Sequence, residues 1–394
     1  MHTLDELERH LIELVQGYLA TLSRDGGPPT GFDRARFDEL AAMDLTALAL
    51  PSHVDGTDVS LRTTTVVVEE LARGIPALGA GLAAHLTGAL AAHDAGDAAL
   101  TSVAATGAGV LTLGVPGGAG DGLALVRLQA GRRGRADADH QPPGGDQQRG
   151  EDAALHGVLA GVVLAPLADH LVVSAVDADG VRHLLRLEAG AVPIADGDGD
   201  GDEGVAVGLP VADVVVDTGR LDPSCLLASG GAADAAATTA IDVSRILFGA
   251  CAVGVAEAAL DAVILALADR LVDVDDAVAR RELAEASIRT EAAKTLVRSA
   301  AERRDHARGI GPHRATPDAG GGYRFSRAAA AARVTAVAAA RAALTCADDL
   351  AGAVYRPRLD ELGGVLAVLA RVTGTAPSLI DEVGRDVWSV RGLP

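Results

Sequence analysis

Aromatic residues are scarce in this 394-residue chain: Phe, Trp and Tyr together make up 2%, with a single Trp. A large core must therefore be filled by Ala, Val and Leu. Positive charge is short as well. The formal charge is −20, and an acidic surface repels both nucleic acid and anionic membranes, so neither is expected as a partner. Lysine is nearly absent: Lys294 is the only one, and every other long basic side chain is Arg. That bias reads as GC-rich coding, with no mechanistic meaning. Cysteine is limited to Cys225, Cys251 and Cys346, odd in number and widely spaced. Cys251 and Cys346 lie in apolar helical patterns and are expected as small buried hydrophobes rather than disulfide partners or nucleophiles. Met1 to Glu13 is charged and amphipathic, unlike a signal peptide. The run from Ile246 to Leu267 approaches the length of a membrane span, but it carries Glu257, Asp261 and many small residues. It reads as a buried helix of a soluble bundle, and a cytoplasmic protein is expected.

What is present is ample apolar material, 49% of the chain, enough for two or three domains. Leu4 to Leu22 repeats apolar residues at three-to-four spacing, and Phe37 to Leu48 does so before stopping at Pro51. Thr63 to Arg73 and Ala80 to Ala92 supply further helices. The period changes after Gly107. Val110 to Leu113, Leu123 to Leu128, His170 to Val176, Val181 to Leu187 and Val211 to Val216 are short β-branched or alternating runs, expected as strands. Between them, Gly131 to Asp152 has almost nothing to bury and reads as a mobile surface insertion. Helical patterns return in Ala240 to Arg270, Ala277 to Asp305 and Ser326 to Leu350, the last two joined by a Gly- and Pro-rich linker. The expected fold is mostly α with a central β domain: a helical part over 1–107, a β part over 108–236 with its insertion at 131–152, and a helical bundle over 237–394.

Two constellations invite metal readings. Asp196 to Glu203 alternates Asp and Gly like a calcium loop, yet Val207 stands where an EF-hand needs its bidentate Glu, so a solvated acidic turn is expected. His85 and His93 are two turns apart on one helix and have no His-Glu-x-x-His partner, so they are expected at the helix surface or at an interface. No metal site is expected.

Several segments together resemble the acyl-CoA dehydrogenase superfamily. Phe37-Asp38-Glu39-Leu40 through Leu45, Leu48, Pro51 and Gly56 is similar to the family's leucine-rich helix, Pro and turn. Glu69-Glu70-Leu71-Ala72-Arg73 resembles its Glu-Glu-Leu-Ala-Arg helix. Leu155-His156-Gly157, followed by Ala168 to Ala175, is similar to its middle-domain strands, and Arg245, Gly254 and Arg270 sit at the spacing of its first long C-terminal helix. The resemblance covers essentially the whole chain. It implies a helical N-terminal domain, a β-barrel-like middle domain and a four-helix C-terminal domain, assembled as a dimer or tetramer around FAD. It also places Arg245 beside the substrate channel and the helix of His85 along the acyl pocket.

The departures bear on function. The family's usual Glu-Gly-Thr reads Thr373-Gly374-Thr375 here, and its alternative base, the Glu before the helix Arg, is Ser244 beside Arg245. A hydroxyl cannot pull a proton from the carbon next to a thioester, and a positioned base is worth about 10²–10⁴-fold in rate. Glu257, Asp360 and Glu361 are the relocated carboxylates open to consideration, each also readable as a solvated helix-face charge. The flavin loop runs Thr112 to Asp121, retaining Gly120 but losing its Glu. Gly161 replaces an aromatic expected over the flavin ring. Val272 and Asp273 follow Arg270 in place of Gln and Phe, and a di-glycine loop has become Ala351-Gly352. The resemblance thus implies either no cofactor or a weakly held FAD, with Thr112, Gly120 and Arg270 as cofactor contacts if FAD is kept. Ser244, Arg245 and Thr373 are the candidate catalytic residues, and Trp388 is expected to anchor a terminal helix on a neighbouring subunit.

Two function classes follow. One is a non-catalytic subunit in a hetero-oligomer beside an active acyl-CoA dehydrogenase paralogue, whereas a homo-oligomer fits the enzyme class that follows. The other is a repurposed enzyme, either a flavin-free cyclase, dehydratase or isomerase, or an FAD-dependent oxidoreductase (dehydrogenase or hydroxylase). The substrate would be acyl-CoA, an acyl-carrier-protein thioester or a small hydrophobic molecule, in specialised acyl or polyketide-type metabolism.

Overall fold

The computed structural model describes residues 6–24, 31–115, 122–127, 153–191, 194–195, 208–218, 221–269, 276–307, 321–372 and 374–390. Five helices come first: α1 (Glu6–Arg24), α2 (Arg34–Ala42), α3 (Leu61–Gly74), α4 (Pro76–Asp94) and α5 (Ala98–Ala105). Their starts follow local chemistry. Asp33 caps α2 by accepting from the Arg36 N–H, Ser60 caps α3 through the Thr63 N–H, and Asp97 caps α5 through the Leu100 N–H. Pro76 opens α4, where its missing N–H costs nothing.

Strands β1 (Leu111–Gly114), β2 (Gly122–Arg127), β3 (Ala153–Val163), β4 (His170–Asp177), β5 (Arg182–Glu188), β6 (Ile194–Ala195), β7 (Val211–Thr218) and β8 (Leu226–Ser229) form one sheet in the order β6-β7-β3-β2-β4-β5-β8. β1 and β2 both pair parallel to β4, at successive stretches of it: Leu111 faces His170, and Leu123 faces Ala175. The sheet has its own apolar core of Leu155, Leu159, Leu171, Val173, Leu185 and Val214. The sequence pattern found five strands near their observed bounds; β3 was reached only through the resemblance at Leu155-His156-Gly157, and β6 and β8 gave no signal. Two residues, and four partly exposed ones, are too few for a period to register. The insertion expected at 131–152 lies outside the described residues.

The C-terminal part holds α6 (Gly231–Ala268), α7 (Ala277–Ala307), α8 (Gly321–Ala351), α9 (Arg356–Leu369) and α10 (Ala376–Val390). Helix α6 is long and apolar enough to cross a bilayer, yet 72% of its apolar window is buried inside the protein, as a core helix requires. Ala dominates its packing surfaces, and Gly254 shows why small residues are needed. A Cβ there would fall 2.3 Å from the Glu69 carbonyl oxygen and 2.9 Å from the Ala72 Cβ, so α3 and α6 touch backbone to backbone.

Charge locks the same contact. The Lys294 ammonium on α7 pairs with Glu69 of α3 at 2.7 Å and bonds Glu257 of α6, while Arg298 reaches Glu69 and Arg73 holds Asp261 through two bonds of 2.6 and 2.9 Å. The sole lysine of the chain therefore sits between two carboxylates at a three-helix junction, where a compact cation fits. Burial pulls the ammonium pKa down, but Glu69 and Glu257 outweigh it and hold it above its ordinary value. Burial pushes the Glu69 carboxyl up despite Lys294. Glu257 is accordingly not a solvated helix-face charge.

Candidate functional site

Helix α6 carries three polar residues into the bundle within one turn: Asp242, Ser244 and Arg245, all buried. Arg245 Nη1 donates to Asp242 Oδ1 at 3.2 Å, and its two terminal nitrogens donate in parallel to the Glu382 carboxylate of α10 at 2.9 and 2.8 Å. The second Asp242 oxygen accepts from Ser326 Oγ of α8. Burial pushes the Asp242 carboxyl up to about 6, against the Ser326 bond and the Arg245 charge. Three helices thus meet at the Arg245–Asp242 pair, α10 through the guanidinium and α8 through the carboxylate.

Thr373 lies outside the described residues. Its neighbours show what the tripeptide does to the chain: Gly374 takes φ +112, the Thr375 carbonyl accepts from Leu379 N–H and Ser378 Oγ, and α10 begins. Two turns later the same helix delivers Glu382 to Arg245. Sequence reasoning missed both acidic partners. Asp242 was legible as an i, i+3 pair with Arg245, whereas Glu382, 137 residues away, left no local signal. Of the relocated carboxylates, Glu361 accepts from Arg358 Nη1 at 2.7 Å, and Asp360 is exposed.

On the sheet side, Thr112 is buried on β1, and its hydroxyl donates to the Val163 carbonyl at 2.6 Å. Gly161 lies in a bulge of β3, where the register to β7 shifts between Leu159 and Val162. It holds φ +63, and its N–H donates to Asp213 Oδ1 at 2.7 Å. A Cβ there would meet nothing within 4 Å, so the backbone conformation rather than crowding is what selects glycine. Gly120, Arg270, Val272 and Asp273 lie outside the described residues, as do 196–203 of the acidic turn and the Trp388 side chain. Among the described residues no group of three His, Cys, Asp or Glu could hold a metal ion.

His85 is not at the helix surface. It is fully buried, with Nε2 3.3 Å from the Ala104 carbonyl and Nδ1 accepting from the Leu111 N–H at 3.2 Å, so it ties α4 to α5 and β1 as a neutral ring. Burial lowers its pKa to about 4. Cys251 and Cys346 are buried and unpaired thiols.

Helices, a β domain carrying a bulged strand, and a helical bundle whose first helix presents Arg245 define an acyl-CoA-dehydrogenase-type architecture. The acyl-CoA dehydrogenase N-terminal domain family matches residues 5–102, and the C-terminal domain family matches residues 234–354. The chain belongs to the acyl-CoA dehydrogenase superfamily. Similar solved structures include butyryl-CoA dehydrogenase from Megasphaera elsdenii (TM-score 0.77, 18% identity, covering 98% of this chain and 99% of that one). A chain of the ChsE4-ChsE5 complex from Mycobacterium tuberculosis matches with TM-score 0.74 and 17% identity, covering 98% and 99%. Dibenzothiophene monooxygenase from Paenibacillus sp. A11-2 matches with TM-score 0.74 and 16% identity, covering 99% and 98%. No curated protein sequence matches.

Proposed function

We propose that this chain is an acyl-CoA-dehydrogenase-fold protein that does not carry out the ordinary dehydrogenation. It acts in specialised acyl or polyketide-type metabolism, as a non-catalytic subunit beside an active paralogue or as an enzyme turned to a non-redox reaction. One observation carries the reading. At the alternative base position stands Ser244, and the carboxylates that reach its neighbour Arg245, Asp242 and Glu382, are both bonded to that guanidinium. A base that must take a carbon-bound proton needs a free lone pair aimed at substrate. Glycine at 161, where the resemblance calls for an aromatic over the flavin, points the same way. The likeness to a chain of a two-component complex supports the subunit form. In the repurposed form, Ser244, Thr373 and Arg245 are the groups assigned to substrate, and Arg245→Ala abolishes turnover.

Asp242 favours a second reading, an FAD-dependent oxidoreductase. A buried carboxyl titrating at about 6 is suited to proton transfer near neutral pH. The likeness to a monooxygenase fits a hydroxylase that dispenses with the usual Glu.

The experiment is the visible spectrum of the purified full chain, followed by titration with an acyl-CoA panel. Substoichiometric flavin and no acyl-CoA-dependent bleaching support the first reading. Stoichiometric FAD that bleaches with acyl-CoA overturns it, and loss of that bleaching in Asp242→Asn supports the dehydrogenase form of the second. Stoichiometric FAD that acyl-CoA leaves oxidised but that reacts with oxygen once reduced supports the hydroxylase form.

A further inference from the structure

The β domain holds a serine, a histidine and an aspartate in line, about 20 Å of helix α6 away from Arg245. The β4–β5 hairpin turn fixes the aspartate. Asp177 Oδ1 accepts the N–H groups of Asp179 and Val181, both at 2.9 Å, which leaves Oδ2 directed at His183 Nε2, 3.2 Å away. These bonds, with His183, hold the Asp177 carboxyl below its ordinary range. His183 on β5 is the register partner of Ser229 on β8, and its Nδ1 lies 3.0 Å from Ser229 Oγ. Asp177 and His183 are buried and Ser229 is exposed.

A neutral ring that donates from Nε2 to Asp177 accepts at Nδ1, and the proton between His183 and Ser229 then belongs to the serine hydroxyl. That is the polarity of an activated nucleophile: orienting carboxylate inside, base in the middle, hydroxyl facing solvent. The backbone then turns sharply. Gly230 takes φ +61, and the 38-residue α6 starts at Gly231 with no side-chain cap. The first intrahelical bond runs from Asp234 N–H to the Gly230 carbonyl, so the N–H groups of Gly231, Ala232 and Ala233 have no acceptor within the helix. Strand, serine, glycine turn and helix start thus put backbone donors without a helical acceptor two to four residues after the nucleophile, the groups that would serve a developing oxyanion. Val181, 37% exposed and within 4.0 Å of a Cβ built on Gly230, supplies an apolar wall.

We propose that Ser229, His183 and Asp177 form a second active site, an acyl-transfer site that hydrolyses small carboxylic esters or thioesters. Ser229 Oγ bonds to the carbonyl carbon as its proton passes to His183 Nδ1. The C–O or C–S bond to the leaving group breaks, and His183 returns the proton to the departing oxygen or sulfur. Water then adds to the acyl-serine with His183 as base, releasing the acid and restoring Ser229. Ser229 and His183 are catalytic residues, and Asp177 is a positioning residue acting through His183.

The test uses the full chain with a fluorophosphonate probe and p-nitrophenyl acetate. One phosphonyl adduct, mapped by mass spectrometry to Ser229 and absent in Ser229→Ala, is expected. His183→Ala should slow both labelling and release of p-nitrophenol by about 10²-fold or more. Asp177→Asn should lower kcat with KM unchanged and leave the adduct on the same serine, which a merely structural role would not do. No adduct at Ser229, or labelling that His183→Ala leaves unchanged while circular dichroism shows the fold intact, overturns the proposal.

Discussion

Arg245 and Glu382 meet through two parallel N–H···O bonds of 2.9 and 2.8 Å, joining the first and last helices of the C-terminal bundle across 137 residues. Bidentate geometry makes this the strongest polar tie of α10 to other helices among the described residues. Glu382→Gln keeps the shape but removes the charge. It should cost about 1–3 kcal/mol, because Arg245 is left buried with Asp242 alone. Urea unfolding followed by circular dichroism measures the loss, and an unshifted midpoint would show the pair contributes nothing.

Lys294 should be the least replaceable cation. Lys294→Met leaves Glu69 and Glu257 facing each other at a buried junction, with an expected loss of about 3 kcal/mol at pH 7. The Glu69 carboxyl already titrates above its unfolded value, so the folded state binds that proton more tightly and gains stability as pH falls. Without the ammonium this pull grows. The deficit of Lys294→Met should therefore shrink between pH 7 and pH 5, and a deficit independent of pH would refute the account. Lys294→Arg should recover only part of it, since a planar fork meets the two carboxylates differently from a point charge.

Apolar spacing is local, so α1, α3 and α4 were legible near their bounds, whereas the helix expected over Phe37 to Leu48 ends at Ala42, well before Pro51, and α5 left too short a pattern to read. Longer-range facts were not legible. Lys294 read as a by-product of coding bias, because nothing near it in sequence announces Glu69 and Glu257. Gly161 read as the loss of an aromatic; only the β3 bulge shows that the backbone there demands glycine. His183 drew no attention, since its partners come from a turn and from an edge strand too short to carry a period. Ser244 and Arg245 were found through resemblance, but the partners that restrain Arg245 were visible only in three dimensions.

His85 gives a pH signature. Its pKa falls to about 4 in the folded protein, by burial, from an unfolded value near 6.5. Its contribution is complete above pH 6.5 and is lost as pH falls through 4, because the unfolded chain binds the proton first. The full span amounts to about 3 kcal/mol. His85→Gln, which retains a donor and an acceptor, should flatten the stability profile across this window. A profile identical to that of the parent chain would place the acid sensitivity elsewhere.

Arg333 offers the sharpest test of how this alanine-built core manages charge. It lies on α8 against Gly249 of α6, 1% exposed, and none of its three guanidinium nitrogens has a hydrogen-bond partner among the described residues. Burial brings its pKa down to about 10, so it remains a cation at neutral pH. A buried charge without a partner costs several kcal/mol, and replacement by a hydrophobe of similar length removes that cost while keeping the packing. Arg333→Met should therefore raise stability by about 1–4 kcal/mol, an inversion of the usual result for a core substitution. Thermal and urea unfolding both report it. A loss of similar size would instead mean that Arg333 is engaged by an anionic group, and Arg333→Lys, keeping the charge but not the fork, would then separate a need for charge from a need for bidentate geometry.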